Sequence, residues 1–260
     1  MDFDIKYISH STVDGADFSC TMHAHNFYEI YCFLSGGAEY YVEGNCYKLQ
    51  PGDIMVMRKG ESHYPVIEPT LPYERIVLSF TCSSAAEHHP FMRIFNDRPL
   101  GRFNCFPSAM FPDLHCVYYL DCIKNSQSKY EEEAFFLPLL AELSQFFPIL
   151  KESKEKSSVH SVAEIIQYIN DHIALPLSLD HLSERFFISK SHLNRMFKKA
   201  TGTTAWNYIV VKRLLMARSL LSEGMVPTDV YLKCGFRDYT TFFRAYKKHF
   251  GSTPKEYKIR

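Results

Sequence analysis

The chain has 260 residues, 46% hydrophobic and 22% charged, which excludes a disordered chain and allows one or two buried cores, with no run of about 18 apolar residues and no amino-terminal signal segment. Its eight cysteines, from Cys20 to Cys234, are scattered without a CxxC pair, which argues against a disulfide framework and against a zinc site. The formal net charge of zero hides an asymmetry: residues 1–150 carry 10 Lys and Arg against 19 Asp and Glu, residues 151–160 carry 3 against 2, and residues 161–260 carry 16 against 8.

Residues 1–112 hold short β-rich runs, Tyr28 to Leu34, Glu39 to Val42, Ile54 to Met57 and Arg75 to Phe80. Turn signals such as Ser35-Gly36-Gly37, Glu43-Gly44-Asn45 and Pro51-Gly52-Asp53 separate them, as in a barrel or sandwich. From about residue 114 the pattern turns helical, first to about Ser126 and then from Glu131 to Leu150, with a kink or break expected at Pro138. In the second stretch Phe135, Leu139, Leu143, Phe146, Phe147 and Leu150 form one apolar stripe, which suits either packing on the barrel or a dimer seam. Residues 151–160 are polar, lie where the charge changes sign, and read as a linker between domains 1–150 and 161–260.

After the linker nearly everything reads as helix. Ser161 to Ile173 is amphipathic and is ended by Pro176, and Asp180 and Asp229 are expected to cap later helices. A repeat at an offset of 49 residues lays His192-Leu-Asn-Arg-Met-Phe-Lys-Lys-Ala-Thr-Gly202 over Thr241-Phe-Phe-Arg-Ala-Tyr-Lys-Lys-His-Phe-Gly251. The same register pairs Asp180 with Asp229, Phe187 with Phe236, and Tyr208 with Tyr257. Each copy runs short helix, turn, second helix and Gly stop, the layout of a helix-turn-helix, over about 180–201 and 227–250.

In those second helices Leu193, Met196 and Phe197, or Phe242, Ala245 and Tyr246, face the core. Ser191, Asn194 and Arg195, or Tyr239, Thr240 and Arg244, are then left on or near the opposite face. Arg can bond two acceptors on guanine and Asn can pair with adenine in a major groove wide enough for a helix. Lys198 and Lys247, later on the helices, suit phosphate. A basic tail beside an acidic first half fits the same double-stranded DNA partner.

Leu177-Ser-Leu-Asp-His-Leu182, Ser189 to Lys199 with Gly202, Arg213-Leu with Ala217 and Leu220-Leu221, and Gly235-Phe236 through Phe250-Gly-Ser-Thr-Pro254 resemble the AraC/XylS family of regulators over about Val162 to Lys258. The resemblance implies a ligand-responsive activator, not an enzyme. Two subdomains joined by a rigid helix, Ala205 to Leu221, would enter successive major-groove segments of a promoter, with RNA polymerase as a further partner. By motif position the family's base and backbone contacts fall on Ser191, Asn194, Arg195, Tyr239, Thr240 and Arg244. Two positions depart from the pattern: Tyr231 stands where a small Ala is usual and Pro227 where Ile is usual, which predicts an altered packing angle in the second unit.

In the first domain, His23-Ala-His25 through Glu29, then Leu49-Gln-Pro-Gly-Asp53 and His63, look like the cupin signature. In metal-binding cupins such imidazoles and a carboxylate hold a divalent ion. Here Gln50 breaks the second motif, so His23, His25, Glu29, Tyr31 and His63 are read as lining for a small-molecule effector, a sugar by family habit, with no metal, cofactor or catalytic residue expected. The expected fold class is multi-domain α+β: a cupin-like β-barrel with trailing helices, then an all-α domain of two helix-turn-helix subdomains. The protein is expected to be a cytoplasmic homodimer with no membrane partner.

Overall fold

The computed structural model describes residues 3–18, 20, 22–153 and 160–256, and the chain separates into two compact units. One comprises Met1–Thr21 with Phe27–Ser158, the other Met22–Asn26 with Val159–Arg260. The expected linker at 151–160 lies mostly outside the described residues, between the end of one helix at Glu152 and the start of the next at His160.

The first unit is built from two antiparallel sheets. Strands β1 (Phe3–Asp14), β7 (Pro72–Cys82), β2 (Tyr28–Ser35), β5 (Ile54–Met57) and β8 (Cys105–Phe106) form one in that order, and β4 (Asn45–Leu49), β3 (Ala38–Val42) and β6 (His63–Ile67) the other. β1 lay outside the sequence expectation: Phe3, Ile5 and Tyr7 alternate with Asp4 and Lys6, but a bulge between Ile5 and Tyr7 breaks the alternation and Ser9 to Thr12 is polar, so pairing along β7 from Phe3 opposite Cys82 to Asp14 opposite Pro72 holds it. β2 is apolar almost throughout because both of its faces are buried. Tyr28, Ile30 and Cys32 join a core shared with the helices, whereas Tyr31 and Phe33 join a second core with Tyr40 and Val42 of the three-stranded sheet.

Helix α1 (Arg93–Asn96) is a single turn, and α2 (Cys116–Asn125) and α3 (Lys129–Glu152) supply the helical side of the first core. α3 runs unbroken past Pro138 and Pro148, so the expected break does not occur; its packed face sustains the helix across the missing amide bonds. Leu139, Leu143, Phe147 and Leu150 are buried in that core, and Phe135 and Phe146 pack against it, so the stripe is core and not a dimer seam. By length and composition alone α3 could cross a membrane, with a mean hydropathy of 1.3 over 18 residues, which the sequence reading did not anticipate.

A fully buried ion pair pins the loop after α1. Arg98 donates Nη1 and Nη2 to Glu61 at 2.8 and 2.7 Å, while Asn104 Nδ2 and the Gly101 amide donate to the same carboxylate at 3.0 and 2.8 Å. Burial pushes the Glu61 carboxyl up, but the Arg98 charge and hydrogen bonds outweigh it and draw it down to about 2. Removing one partner would leave an uncompensated buried charge, at a cost of about 3–5 kcal/mol.

The second unit is helical: α4 (His160–Asp171), α5 (Leu179–Arg185), α6 (Lys190–Thr201), α7 (Ala205–Ser222), α8 (Pro227–Lys233) and α9 (Tyr239–Phe250). Its apolar residues form two clusters. Val162, Ile165, Leu182, Leu193, Phe197 and Tyr208 centre one, and Leu214, Ala217, Val230, Phe236, Phe242 and Tyr246 centre the other, with α7 contributing to both.

Candidate nucleic-acid interface

The two expected helix-turn-helix units are α5 with α6 and α8 with α9. Ser189 caps α6, its Oγ accepting from His192 N at 3.2 Å, and Asp238 caps α9, accepting from Thr241 N at 2.8 Å. The bond from the Thr241 amide, joined by one from its hydroxyl, holds the Asp238 carboxyl below the usual carboxylate range. Asp180 and Asp229 are not the caps expected of them. Ser178 caps α5, and α8 begins at Pro227 after Val226, leaving both aspartates in the first turn, where a negative charge still suits the helix dipole. Pro227 thereby has an explanation, since at the first helical position its missing N–H costs nothing.

Of the eight residues expected to meet DNA, six are exposed: Ser191, Arg195 and Lys198 on α6, and Thr240, Arg244 and Lys247 on α9. Each trio runs at i, i+4 and i+7, so it forms one stripe, and the two stripes are related by the 49-residue offset position for position. Asn194 and Tyr239 are half-buried. The Asn194 carbonyl accepts from the Ala205 amide at 3.2 Å at the start of α7, which ties the reading helix to the connecting one. Tyr239 turns its ring towards Tyr231, Phe242 and Phe243, with centroids 5.8, 5.9 and 6.1 Å away. Tyr231 thus takes up its extra volume beside a second tyrosine at the edge of the core.

The repeat register also needs amending in the turns. Phe186 and Cys234 close α5 and α8, and the left-handed residues that follow are Phe187 (φ +54) and Gly235 (φ +78). Phe187 therefore corresponds to Gly235 and not to Phe236, and the second turn is one residue longer. Phe187 is 95% exposed while Phe236 is buried. The partner expected for Tyr208, Tyr257, lies outside the described residues. Unforeseen from sequence was His192, whose Nδ1 accepts from Arg195 Nη2 at 2.7 Å and so holds that guanidinium along the stripe.

In the first unit Glu29, Tyr31 and His63 come together between the two sheets. His63 Nε2 lies 3.7 Å from Glu29 Oε1, Tyr40 donates to the same oxygen at 3.4 Å, and Tyr31 bonds Tyr73 through their hydroxyls. Burial pushes the Tyr31, Tyr40 and Tyr73 hydroxyls up, keeping them neutral donors. Tyr40 and Tyr73 went unnoticed in the sequence because only the strand pairing brings them to Glu29. His23 and His25, with ring centroids 6.0 Å apart, lie on the Met22–Asn26 segment that groups with the second unit.

Two helix-turn-helix units, each carrying a polar and basic stripe on its second helix, define a DNA-binding module. Comparison with known proteins agrees: residues 182–260 match the helix-turn-helix domain family and residues 6–89 the AraC-like ligand binding domain family. The chain is 35% identical over 109 residues to the multiple antibiotic resistance protein MarA of Salmonella typhimurium, covering 41% of this chain and 85% of MarA. It is 25% identical over 245 residues to the HTH-type transcriptional activator RhaS of Escherichia coli O1:K1, covering 90% of this chain and 86% of RhaS. Among solved structures, ToxT from Vibrio cholerae O395 aligns over 98% of this chain and 96% of its own, with 15% identity and a TM-score of 0.41. The chain belongs to the AraC family of DNA-binding transcription regulators, a family of regulators and not of enzymes.

Proposed function

We propose that α6 and α9 enter successive major-groove segments of a promoter, with Ser191, Arg195 and Lys198 on one and Thr240, Arg244 and Lys247 on the other. The observation that carries this reading is the coincidence of the two exposed stripes under one sequence offset. Packing alone has no reason to repeat an Arg and a Lys on an outer face. Asn194 and Tyr239 drop out of the contact set because their side chains are engaged within the unit.

Residues 1–150 serve as the regulatory domain, joined at 151–160 to a DNA-binding domain at 161–260. A small polar effector such as a sugar meets the Glu29, Tyr31 and His63 group, whose buried donors and carboxylate suit hydroxyl recognition. Titration of the protein with a panel of sugars, read as a rise in unfolding temperature, tests this; no rise with any of them removes the effector reading. The regulator acts in the cytoplasm, as a homodimer, and engages RNA polymerase as an activator. A monomer in sedimentation velocity would exclude the homodimer.

The deciding experiment is quantitative binding to a selected operator at several salt concentrations. Arg195→Ala and Arg244→Ala should each cost about 1–3 kcal/mol and relax base preference in different halves of the site. Lys198→Ala and Lys247→Ala should weaken all sequences alike and flatten the salt dependence by about one unit. Wild-type affinity and selectivity in both arginine variants would overturn the assignment.

A further inference from the structure

Arg213 lies midway along α7, only 4% exposed, and its guanidinium reaches back to the chain between α4 and α5. Nε donates to Ile173 O at 3.0 Å and Nη2 to Leu175 O at 2.7 Å. The same guanidinium sits over the ring of Phe236 in the second unit's turn, 6.0 Å from its centroid. Gly235 comes so near that a Cβ there would stand 2.9 Å from Ala174 O and 3.0 Å from Arg213 Cζ. Beside this contact a groove of about 720 Å³, lined by Leu177, Trp206, Val210 and Leu232 among others, opens between the two helix-turn-helix units.

Both donors of this planar fork go to one stretch, the carbonyls of Ile173 and Leu175 ahead of α5, while its flat face packs on Phe236 of the second helix-turn-helix, so a single rigid group touches both units and fixes their separation and angle. Arg supplies that fork; Lys supplies a single rotatable ammonium. The geometry points to Arg213 as the positioning residue that sets the spacing and phase of the two reading helices, so that both engage DNA at once. The inference rests on the proposed two-helix reading and adds what keeps the helices in register. Two linked readers out-bind one only while their geometry lets both engage, and successive half-sites on one face of DNA lie about 34–36 Å apart.

The test uses the full chain and three versions of a selected operator: intact, with one reading segment scrambled, and with two base pairs inserted between segments. Wild type should prefer the intact site over either altered one by about a hundredfold. Arg213→Met should lose about tenfold on the intact site, change little on the scrambled site, and discriminate less against the insertion. Arg213→Lys should recover part of this preference. Gly235→Ala pushes the second turn off Ala174 and Arg213 without removing a donor, and should reproduce the loss of spacing discrimination. Should Arg213→Met fail to fold by circular dichroism, Gly235→Ala and Arg213→Lys decide the same question. An equal loss on all three sites means a merely structural role and overturns the inference, as does full spacing discrimination in Gly235→Ala and Arg213→Lys. If wild type itself ignores scrambling of either segment, the two-helix reading is what fails.

Discussion

The two helix-turn-helix units share a repeat but are not built alike. In the first, the reading helix is tied to the connecting helix by Asn194, its capping hydroxyl comes from Ser189, and its turn is forced through a left-handed, exposed Phe187. In the second, an aspartate caps the helix, a glycine takes the left-handed position, one residue is added to the turn, and a Tyr231–Tyr239 pair fills the edge of the core. What is common to both is the outward stripe and the inward Leu193 and Phe197, or Phe242 and Tyr246. The difference teaches that the surface to be read and the core spacing are held while caps and turns vary, because several chemistries satisfy the same orphan amides.

The largest effect expected from this comparison is on the separate cores. Phe197→Ala should cost about 3–5 kcal/mol, since a fully buried ring leaves a cavity that the neighbours refill only in part. Because Phe197 and Phe242 belong to different clusters, hydrogen exchange should speed up first in α4, α5 and α6 and later in α9. Equal loss of protection in both would show one cooperative core and dissolve the distinction.

A smaller effect separates Asn194 from the stripe. Asn194→Ala should lower stability by about 1 kcal/mol through the lost bond to Ala205 while leaving base preference unchanged, as measured by denaturant unfolding and by competition between operator variants. Tyr239→Phe, which removes a buried hydroxyl without a partner among the described residues, should change neither by more than about 0.5 kcal/mol. A shift in base preference from either variant would return that residue to the reading surface.

The smallest effect tests the turn. Phe187 holds a left-handed backbone at a cost of about 1–3 kcal/mol, and Gly removes the strain but adds freedom to the unfolded chain. Phe187→Gly should therefore raise the unfolding free energy by about 0.5 kcal/mol or slightly more. A loss of stability would show that the exposed ring packs in a way its position does not suggest.

Much of this was legible in the linear chain. The apolar period of α6 and α9, the paired lysines before Gly202 and Gly251 and the repeat of Arg195 as Arg244 follow from residue types at helical spacing, and no other part of the molecule is needed to read them. The strands Tyr28–Ser35, Ala38–Val42, Ile54–Met57 and the inner part of Pro72–Cys82 were legible for the same reason, being apolar runs cut by turn residues, whereas Asn45–Leu49 and His63–Ile67 were not among the runs read. β1 was not, because a half-exposed edge strand owes its shape to the bonds it makes with β7.

The amino-acid sequence by itself determined the fold class, the doubled reader and the faces on which polar residues must fall, since periodicity and capping chemistry act over a few residues. Only the tertiary structure decided which of those polar residues stay exposed and which are engaged within the unit. Asn194 and Tyr239 lie within one helical step of the stripe, and it is Ala205 and Tyr231, 11 and 8 residues away along the chain, that occupy them. Arg213 shows the same limit over a longer distance: its donors are spent on Ile173 and Leu175, some 40 residues earlier, and no local pattern records a bond that exists only once the chain has packed.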